Sequence, residues 1–175
     1  MIKTERLILR EWEDSDFAPF AELNADVRVC EFLPKILTKD ESDDLVKKVR
    51  YHFEAHGYGL YALEEISTGR FIGFTGLMIP DFEAHFIPAV EIGWRLDHKY
   101  WGHGYATEAA QAALEYAFNT LNLKEVVSFT VPKNIRSRRV MEKIGMRRKE
   151  RDDFLHPKLP DGHRLQKHVL YRINR

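Results

Sequence analysis

Between Ala89 and Val131 the chain runs from a strictly alternating segment through a Gly-x-Gly and an alanine-striped segment into a β-branched one. In "AVEIGWRLD", Val90, Ile92, Trp94 and Leu96 fall on one face and Glu91, Gly93 and Arg95 on the other, which is the period of a strand. Ala106, Ala109, Ala110, Ala113, Leu114, Ala117, Phe118 and Leu121 then mark one side of a helix. "EVVSFTV" (Glu125–Val131) is a second strand. Two strands joined through a helix are expected to lie parallel and adjacent. That unit requires a sheet with at least one helix packed on it.

The flanking segments extend the sheet. "ERLILREW" (Glu5–Trp12) reads as a strand, followed by a short helix over residues 15–26 with Ser15 as its cap. Thr38 with Glu41 three residues later is a capping box for a helix that carries Leu45, Val49 and Phe53 and ends at Gly57. "LYALEEI" and "RFIGFTGLMI", joined through "STGR", predict a hairpin. Asn134 to Gly145 reads as a helix, and "MRRKERDDFL" and "RLQKHVLYRI" as two closing strands. The order β-α-α-β-β-β-α-β-α-β-β predicts a mixed α/β (α+β) fold with helices on both faces of the sheet. No repeat, low-complexity tract or linker divides the chain, so residues 1–175 are expected to form one domain.

Composition excludes several functions. Lys+Arg and Asp+Glu both number 27, so no global basic field draws in nucleic acid. No apolar run is long enough to span a bilayer or to serve as a signal peptide, and membrane partners are not expected. Cys30 is the single cysteine, so no internal disulfide can form and a cytoplasmic location is expected. Nothing beside it in sequence supplies a base that would make it a nucleophile. His52 and His56 stand one helical turn apart, but they lack the H-E-x-x-H pattern and a third ligand, so no metal is expected.

Gly102 and Gly104 sit just ahead of the alanine-striped helix. The first N–H groups of a helix lack intrahelical partners and lie at its positive end, which suits a phosphate. Glycine there removes side chains that would hold a phosphate off, and Lys99 adds a charge at the rim. An ordinary strand-to-helix turn uses the same residues. A nucleotide P-loop is incomplete, because no lysine follows Gly104 at the right place. The Rossmann fingerprint fails as well, since Thr107 stands where its third small residue belongs.

The run "EIGWRLDHKYWGHGYATEAAQAALEYAF", followed by "NIRSRRVMEKIGM", resembles the acetyl-CoA-binding half of the GNAT superfamily of N-acetyltransferases. Within it the RimJ/RimL type, which acetylates protein N-termini and assorted small amines, is the most similar. Lys99-Tyr100-Trp101-Gly102-His103-Gly104 matches the family's Gln/Arg-x-x-Gly-x-Gly/Ala signature, with lysine at its first position. The likeness extends from about Thr4 to Ile173. It implies a central twisted sheet, mostly antiparallel, with one splayed parallel pair. It also implies acetyl-CoA as co-substrate, an amine acceptor (small molecule or protein N-terminus), and the dimerisation common among members.

By the same resemblance the pyrophosphate lies on amides from Trp101, Gly102, His103, Gly104, Tyr105 and Ala106. Trp94 to Leu96 would offer main-chain groups to the pantetheine arm, and an amide near Gly93–Trp94 would face the oxyanion. Glu91 is the candidate base, although a strand glutamate is ordinarily a solvated edge charge. Asn134 and Ser137 share a helix face. Asn134 would bind the pantetheine arm, and Ser137 would stand near the sulfur as a proton donor, although Asn134 alone would also serve as a simple cap. Many members carry a tyrosine acid seven residues after the asparagine; here that residue is Met141, whose thioether cannot donate. Arg136, Arg138 and Arg139 form a basic patch on the same helix, which could meet the cofactor's ribose phosphate. "CEFLP" (Cys30–Pro34) and "DFEAHFIP" (residues 81–88) are the segments expected to line the acceptor pocket.

Proton chemistry favours some acceptors. An α-amine with a pKa near 7.7–8.0 costs under about 1 kcal/mol to deprotonate at neutral pH, whereas a lysine near 10.4 costs roughly 4–5. Direct transfer to a primary amine, a protein N-terminus or a small molecule, is the expected activity, with proton cost leaning toward the less basic ones. A CoA-binding sensor without catalysis and a nucleotide-binding module are the competing readings.

Overall fold

A computed structural model describes residues 1–175. The chain forms strands β1 (Ile2–Lys3), β2 (Leu7–Arg10), β3 (Leu60–Glu65), β4 (Arg70–Met78), β5 (Glu91–Leu96), β6 (Glu125–Thr130), β7 (Arg147–Arg148), β8 (Phe154–Leu155) and β9 (Lys167–Asn174). The helices are α1 (Phe17–Ala25), α2 (Lys39–His56), α3 (Tyr105–Asn119) and α4 (Ile135–Lys143). The strands lie in the order β1-β2-β3-β4-β5-β6-β9-β7, with β8 against β9. Every neighbouring pair is antiparallel except β5–β6, the pair linked through α3. No helix is long and apolar enough to cross a membrane.

Period-two burial divides the core between the two faces of the sheet. Leu7, Leu9, Tyr61, Leu63, Ile72, Ile92 and Leu96 turn to one side and meet the alanine stripe of α3 together with Met141 and Ile144. Leu60, Ala62 and Phe74 turn to the other, where Phe20 and Leu23 of α1 and Val46 and Val49 of α2 cover them. A further cluster of Phe86, Val127, Phe154 and Leu170 closes the far end of that second face. Small alanines let α3 lie close to the strands, so the helix is fixed directly over β4 and β5.

Local chemistry behaves at α2 as the sequence predicts: Thr38 accepts from the Glu41 amide, Glu41 caps in return, and Gly57 ends the helix at φ +74°. Elsewhere the structure differs. Ser15 does not cap α1; a short 3₁₀ turn over Asp14–Asp16 precedes it, with a capping box between Glu13 and Asp16. Asp16 is drawn inward by Arg10, whose guanidinium donates to both its oxygens at 2.7 and 2.9 Å. The segment "MRRKERDDFL" is not one strand but β7, a 3₁₀ turn over Glu150–Asp152 and β8. Arg148 donates to Asp153 at 3.0 Å and Arg172 to Asp152 at 3.1 Å, and these ion pairs hold the break. The final strand begins at Lys167 rather than Arg164.

Two glycines in β4 are required by close approach of neighbouring strands. At Gly76 (φ +151°) a Cβ would stand 2.2 Å from the Gly59 carbonyl oxygen, and at Gly73 (φ +141°) 2.2 Å from that of Arg95. Both obstructions are main chain and cannot rotate away. Gly76→Ala is therefore expected to destabilise the protein by about 3 kcal/mol or more, combining backbone strain with overpacking. Chemical denaturation of the variant checks this, and a midpoint equal to that of the parent contradicts it.

Candidate active site

β5 and β6 are hydrogen-bonded at one end only. Their ladder holds at Glu91 opposite Val127, where the Val127 amide donates to the Val90 carbonyl at 2.9 Å. One step on, the Ser128 hydroxyl instead of a main-chain amide donates to the Ile92 carbonyl at 2.8 Å. Beyond that no β6 residue pairs with β5, and the strands part. Alternate residues of a strand aim both main-chain groups at the same edge. Gly93 and Asp97 aim at β4, since the Gly93 carbonyl accepts from Thr75 at 2.9 Å and the Asp97 amide donates to Ile72 at 2.9 Å. Ile92, Trp94 and Leu96 thus face the gap. Leu96 has its carbonyl taken by the Trp101 indole at 2.9 Å, whereas the Trp94 N–H and C=O meet no strand there.

The gap opens into a cleft of about 710 Å³ that runs to the mouth of α3. Gly102 and Gly104 adopt φ +80° and +83°, and Gly104 is the residue before the helix, with no side-chain cap. A Cβ on Gly102 would meet nothing within 4 Å, and one on Gly104 only the Arg6 guanidinium at 3.6 Å. Backbone conformation, not lack of space, therefore demands glycine here. The first intrahelical bond runs from the Glu108 amide to the Gly104 carbonyl at 3.0 Å, which leaves the N–H groups of Tyr105, Ala106 and Thr107 free. This mouth fits a diphosphate.

Arg6 holds the mouth in place, and nothing near it in sequence announces that role. Its Nη1 donates to the His103 carbonyl at 2.9 Å, its Nε donates to Glu108 at 2.7 Å, and its guanidinium lies 4.6 Å from the centre of the Tyr105 ring. The contact joins a residue just before β2 to the loop and first turn of α3, 97 and 102 positions away, so no local pattern could have revealed it.

Most of the sequence candidates come together. Glu91, Trp94, Leu96, Trp101, Gly102, Gly104, Tyr105, Ala106, Asn134 and Ser137 all line the one cleft. Lys99 and His103 do not. Lys99 is exposed, its amine 3.7 Å from Asp97, and the His103 ring stacks on Tyr105 outside the cleft. His103 faces inward with neither ring nor carbonyl, since Arg6 takes the latter.

Asn134 caps α4 by accepting from the Ser137 amide at 3.3 Å, and its Nδ2 donates to Thr130 at 3.0 Å. It thereby ties the end of β6 to the head of α4. Ser137 keeps its hydroxyl unengaged. Met141 is 1% exposed and packs in the core beneath. Of the α4 arginines, Arg136 and Arg139 reach the cleft, Arg136 lying over Trp101 at 4.3 Å. Arg138 instead braces Tyr171 and the Pro132 carbonyl.

Glu91 stands on the β5 face opposite Ile92, at the floor of the splay. No cation or hydrogen-bond donor contacts its carboxyl group, and its enclosure by protein pushes the pKa up to about 8. The end of the cleft beside Glu91 has two walls. Val29, Phe32, Leu33 and Pro34 form one, so part of "CEFLP" lines the cleft; Cys30 itself is buried against the Asn24 carbonyl. The segment "DFEAHFIP" does not line the cleft. Phe82 and Phe86 pack on Phe129 and Phe154 and support the second wall, formed by Phe129, His156 and His168, from behind. Burial lowers His168 to about 4, so that wall carries a neutral imidazole. Outside the cleft lining, His52 serves main chain: its Nδ1 pairs with the Tyr58 carbonyl at 2.8 Å and its Nε2 accepts from the Ile79 amide at 3.3 Å.

The GNAT acetyltransferase domain model matches residues 6–147. An uncharacterized N-acetyltransferase of Bacillus subtilis is 32% identical over 173 residues, covering 98% of this chain and 95% of the relative. The crystal structure of a GNAT-family acetyltransferase from Bacillus anthracis superposes with TM-score 0.80 at 31% identity, over 99% of this chain and 97% of that one. Spermidine N-acetyltransferase from Vibrio cholerae, solved with CoA and spermine, has the same fold at TM-score 0.75 and 20% identity, over 98% of this chain and 96% of that one.

Proposed function

Since the chain belongs to the GNAT family and is an acetyl-CoA-dependent acetyltransferase of amines, we propose that it transfers the acetyl group directly within a ternary complex, with Glu91 as base. Acetyl-CoA brings an activated thioester; the protein positions it and manages protons. The amides at the head of α3 hold the pyrophosphate, and exposed Arg139 and Lys143 stand by for the remaining phosphate charge. Trp94 C=O and Leu96 N–H serve as an edge for the pantetheine arm, as an added strand would be served. Because Gly93 is turned toward β4, the Trp94 N–H is the amide aimed at the carbonyl oxygen as charge develops on it.

Glu91 takes the proton that the amine nitrogen sheds on bonding to the acyl carbon, directly or through one water. The carbon–sulfur bond breaks, its electrons leave on sulfur, and the Ser137 hydroxyl donates a hydrogen bond to the departing thiolate and relays to it a proton drawn from solvent. A carboxyl group near 8 exchanges a proton with a chain-terminal α-amine of pKa 7.7–8.0 at almost no cost, and with a more basic amine at about 1.4 kcal/mol for each further pKa unit.

The observation that carries this reading is the unpartnered edge of β5 running, in one cleft, from Glu91 to the open amides of α3. The buried Met141 favours a CoA-binding sensor instead, and the free Ser137 hydroxyl beside Asn134 speaks against that. Calorimetry with acetyl-CoA and with ATP, then thiol release from acetyl-CoA with a panel of amines and peptides, tests both. Tight acetyl-CoA binding with amine-dependent thiol release is expected. Binding without release from any amine points to the sensor.

A further inference from the structure

Arg95 stands two residues beyond Gly93, on the β5 face that looks toward α1, and it lines the acceptor end of the cleft. Asn24 Oδ1 accepts from its Nη1 at 2.5 Å, and the Phe74 ring lies 5.4 Å from Cζ. No carboxylate pairs with it. The contrast with Arg10 is direct: that guanidinium, also largely removed from solvent, is held by Asp16 and Glu64 at 2.7 and 2.8 Å. Enclosing a guanidinium without a counter-charge is unfavourable, and proteins rarely leave one so. Burial lowers Arg95 to about 10, which still leaves it charged at neutral pH.

Its position is fixed from behind. Asn24 is fully buried, and its Nδ2 donates to Ser42 Oγ at 2.9 Å, which commits Oδ1 to Arg95. The relay from α2 through α1 to β5 engages a single N–H of the guanidinium. The others have no protein acceptor, and Arg presents them in a planar fork that matches a carboxylate.

The rest of the cleft agrees in sign. Arg28, Arg95, Arg136, Arg139, Lys143 and Lys158 line it, against Glu91 as the one acid, in a chain whose formal charge is zero. At the acceptor end Arg28 is neutralised by Asp26 and Lys158 by Asp81, so Arg95 is the cation left over. Glu91, Gly93 and Arg95 share one face, spaced at about 6–7 Å, with the apolar side chains of Val29, Phe32 and Phe74 beside them.

We propose that the acceptor is a carboxylated amine of amino-acid type, bearing an apolar side group, with its carboxylate clasped by Arg95 and its amine presented to Glu91. This rests on the acetyltransferase reading and names its substrate class. Polyamines, all positive charge, meet the wrong field here.

The test compares matched ligands on the purified protein: phenylalanine against phenethylamine, methionine against its methyl ester, and spermidine. Each is titrated into the CoA complex by calorimetry, and each is assayed for transfer from acetyl-CoA. The carboxylated member of each pair is expected to bind more tightly. In Arg95→Gln its affinity is expected to fall at least about 30-fold, with Arg95→Lys intermediate and the preference within each pair abolished. A carboxylate preference that depends on Arg95 without any acetyl transfer would uphold the anion site and sink the transferase reading. Transfer to phenethylamine, the methyl ester or spermidine as fast as to the amino acids, unaltered by Arg95→Gln, would overturn the anion site and leave the transferase standing. The same holds for a preference for peptides over free amino acids.

Discussion

Glu91→Gln is expected to lower kcat at pH 7 by about 10²–10⁴-fold while acetyl-CoA binds as before, because it removes a proton acceptor and nothing that touches the cofactor. The deficit should narrow as pH rises, since the amine then arrives already deprotonated. A second readout needs no turnover. In the folded protein Glu91 keeps its proton up to about pH 8, whereas an unfolded glutamate releases it near 4.5. Between those values the native state binds more protons than the unfolded one, so Glu91 makes stability fall as pH rises. Glutamine, always neutral, escapes that penalty. Relative to the parent, the variant should gain up to a few kcal/mol at pH 9 and nothing at pH 5. Thermal melts at the two pH values decide it. An equal offset at both would mean that the carboxyl group is not held protonated, and full turnover across neutral pH would remove it from the chemistry.

Gly104→Val is expected to weaken acetyl-CoA binding on the order of 100-fold or more. Valine is strongly disfavoured at φ +83°, so the first turn of α3 must re-form and its open amides lose their common aim. Two charge-assisted hydrogen bonds at about 1.5–3 kcal/mol each account for that loss. A companion variant separates two explanations. Asparagine tolerates this conformation where valine does not. If backbone geometry is the cause, Gly104→Asn should retain most of the affinity. If a side chain merely obstructs the phosphate, Asn and Val should fail alike. A calorimetric titration of each distinguishes them, and parent-like affinity in the valine variant contradicts the assignment of the mouth altogether.

Much of the scaffold was readable because it is specified locally. The Thr38–Glu41 box, the glycine ending α2, the alternation of β5 and the stripe of α3 involve residues within one or two turns of each other. Segments whose shape depends on distant partners were not readable. "MRRKERDDFL" breaks because Arg172, from another strand, grips Asp152, and the short 3₁₀ turn before α1 forms around a carboxylate claimed by Arg10. The two-residue β1 has too few residues to show a period at all.

The site divides along the same line. Sequence by itself determined the loop, the helix mouth, the Asn134 cap and the strand bearing Glu91, since each is a motif of fixed spacing read along one segment. Only the folded chain shows that Arg6 clamps that loop from 97 residues away, and that the splay implied by the resemblance opens after one rung and leaves the Trp94 amide, not that of Gly93, free. It also shows that Glu91 lies without a partner and that Arg95 has only Asn24 to answer it. The physical reason is that protonation and charge recognition depend on what surrounds a group in space, and those surroundings are assembled from residues that only folding brings together.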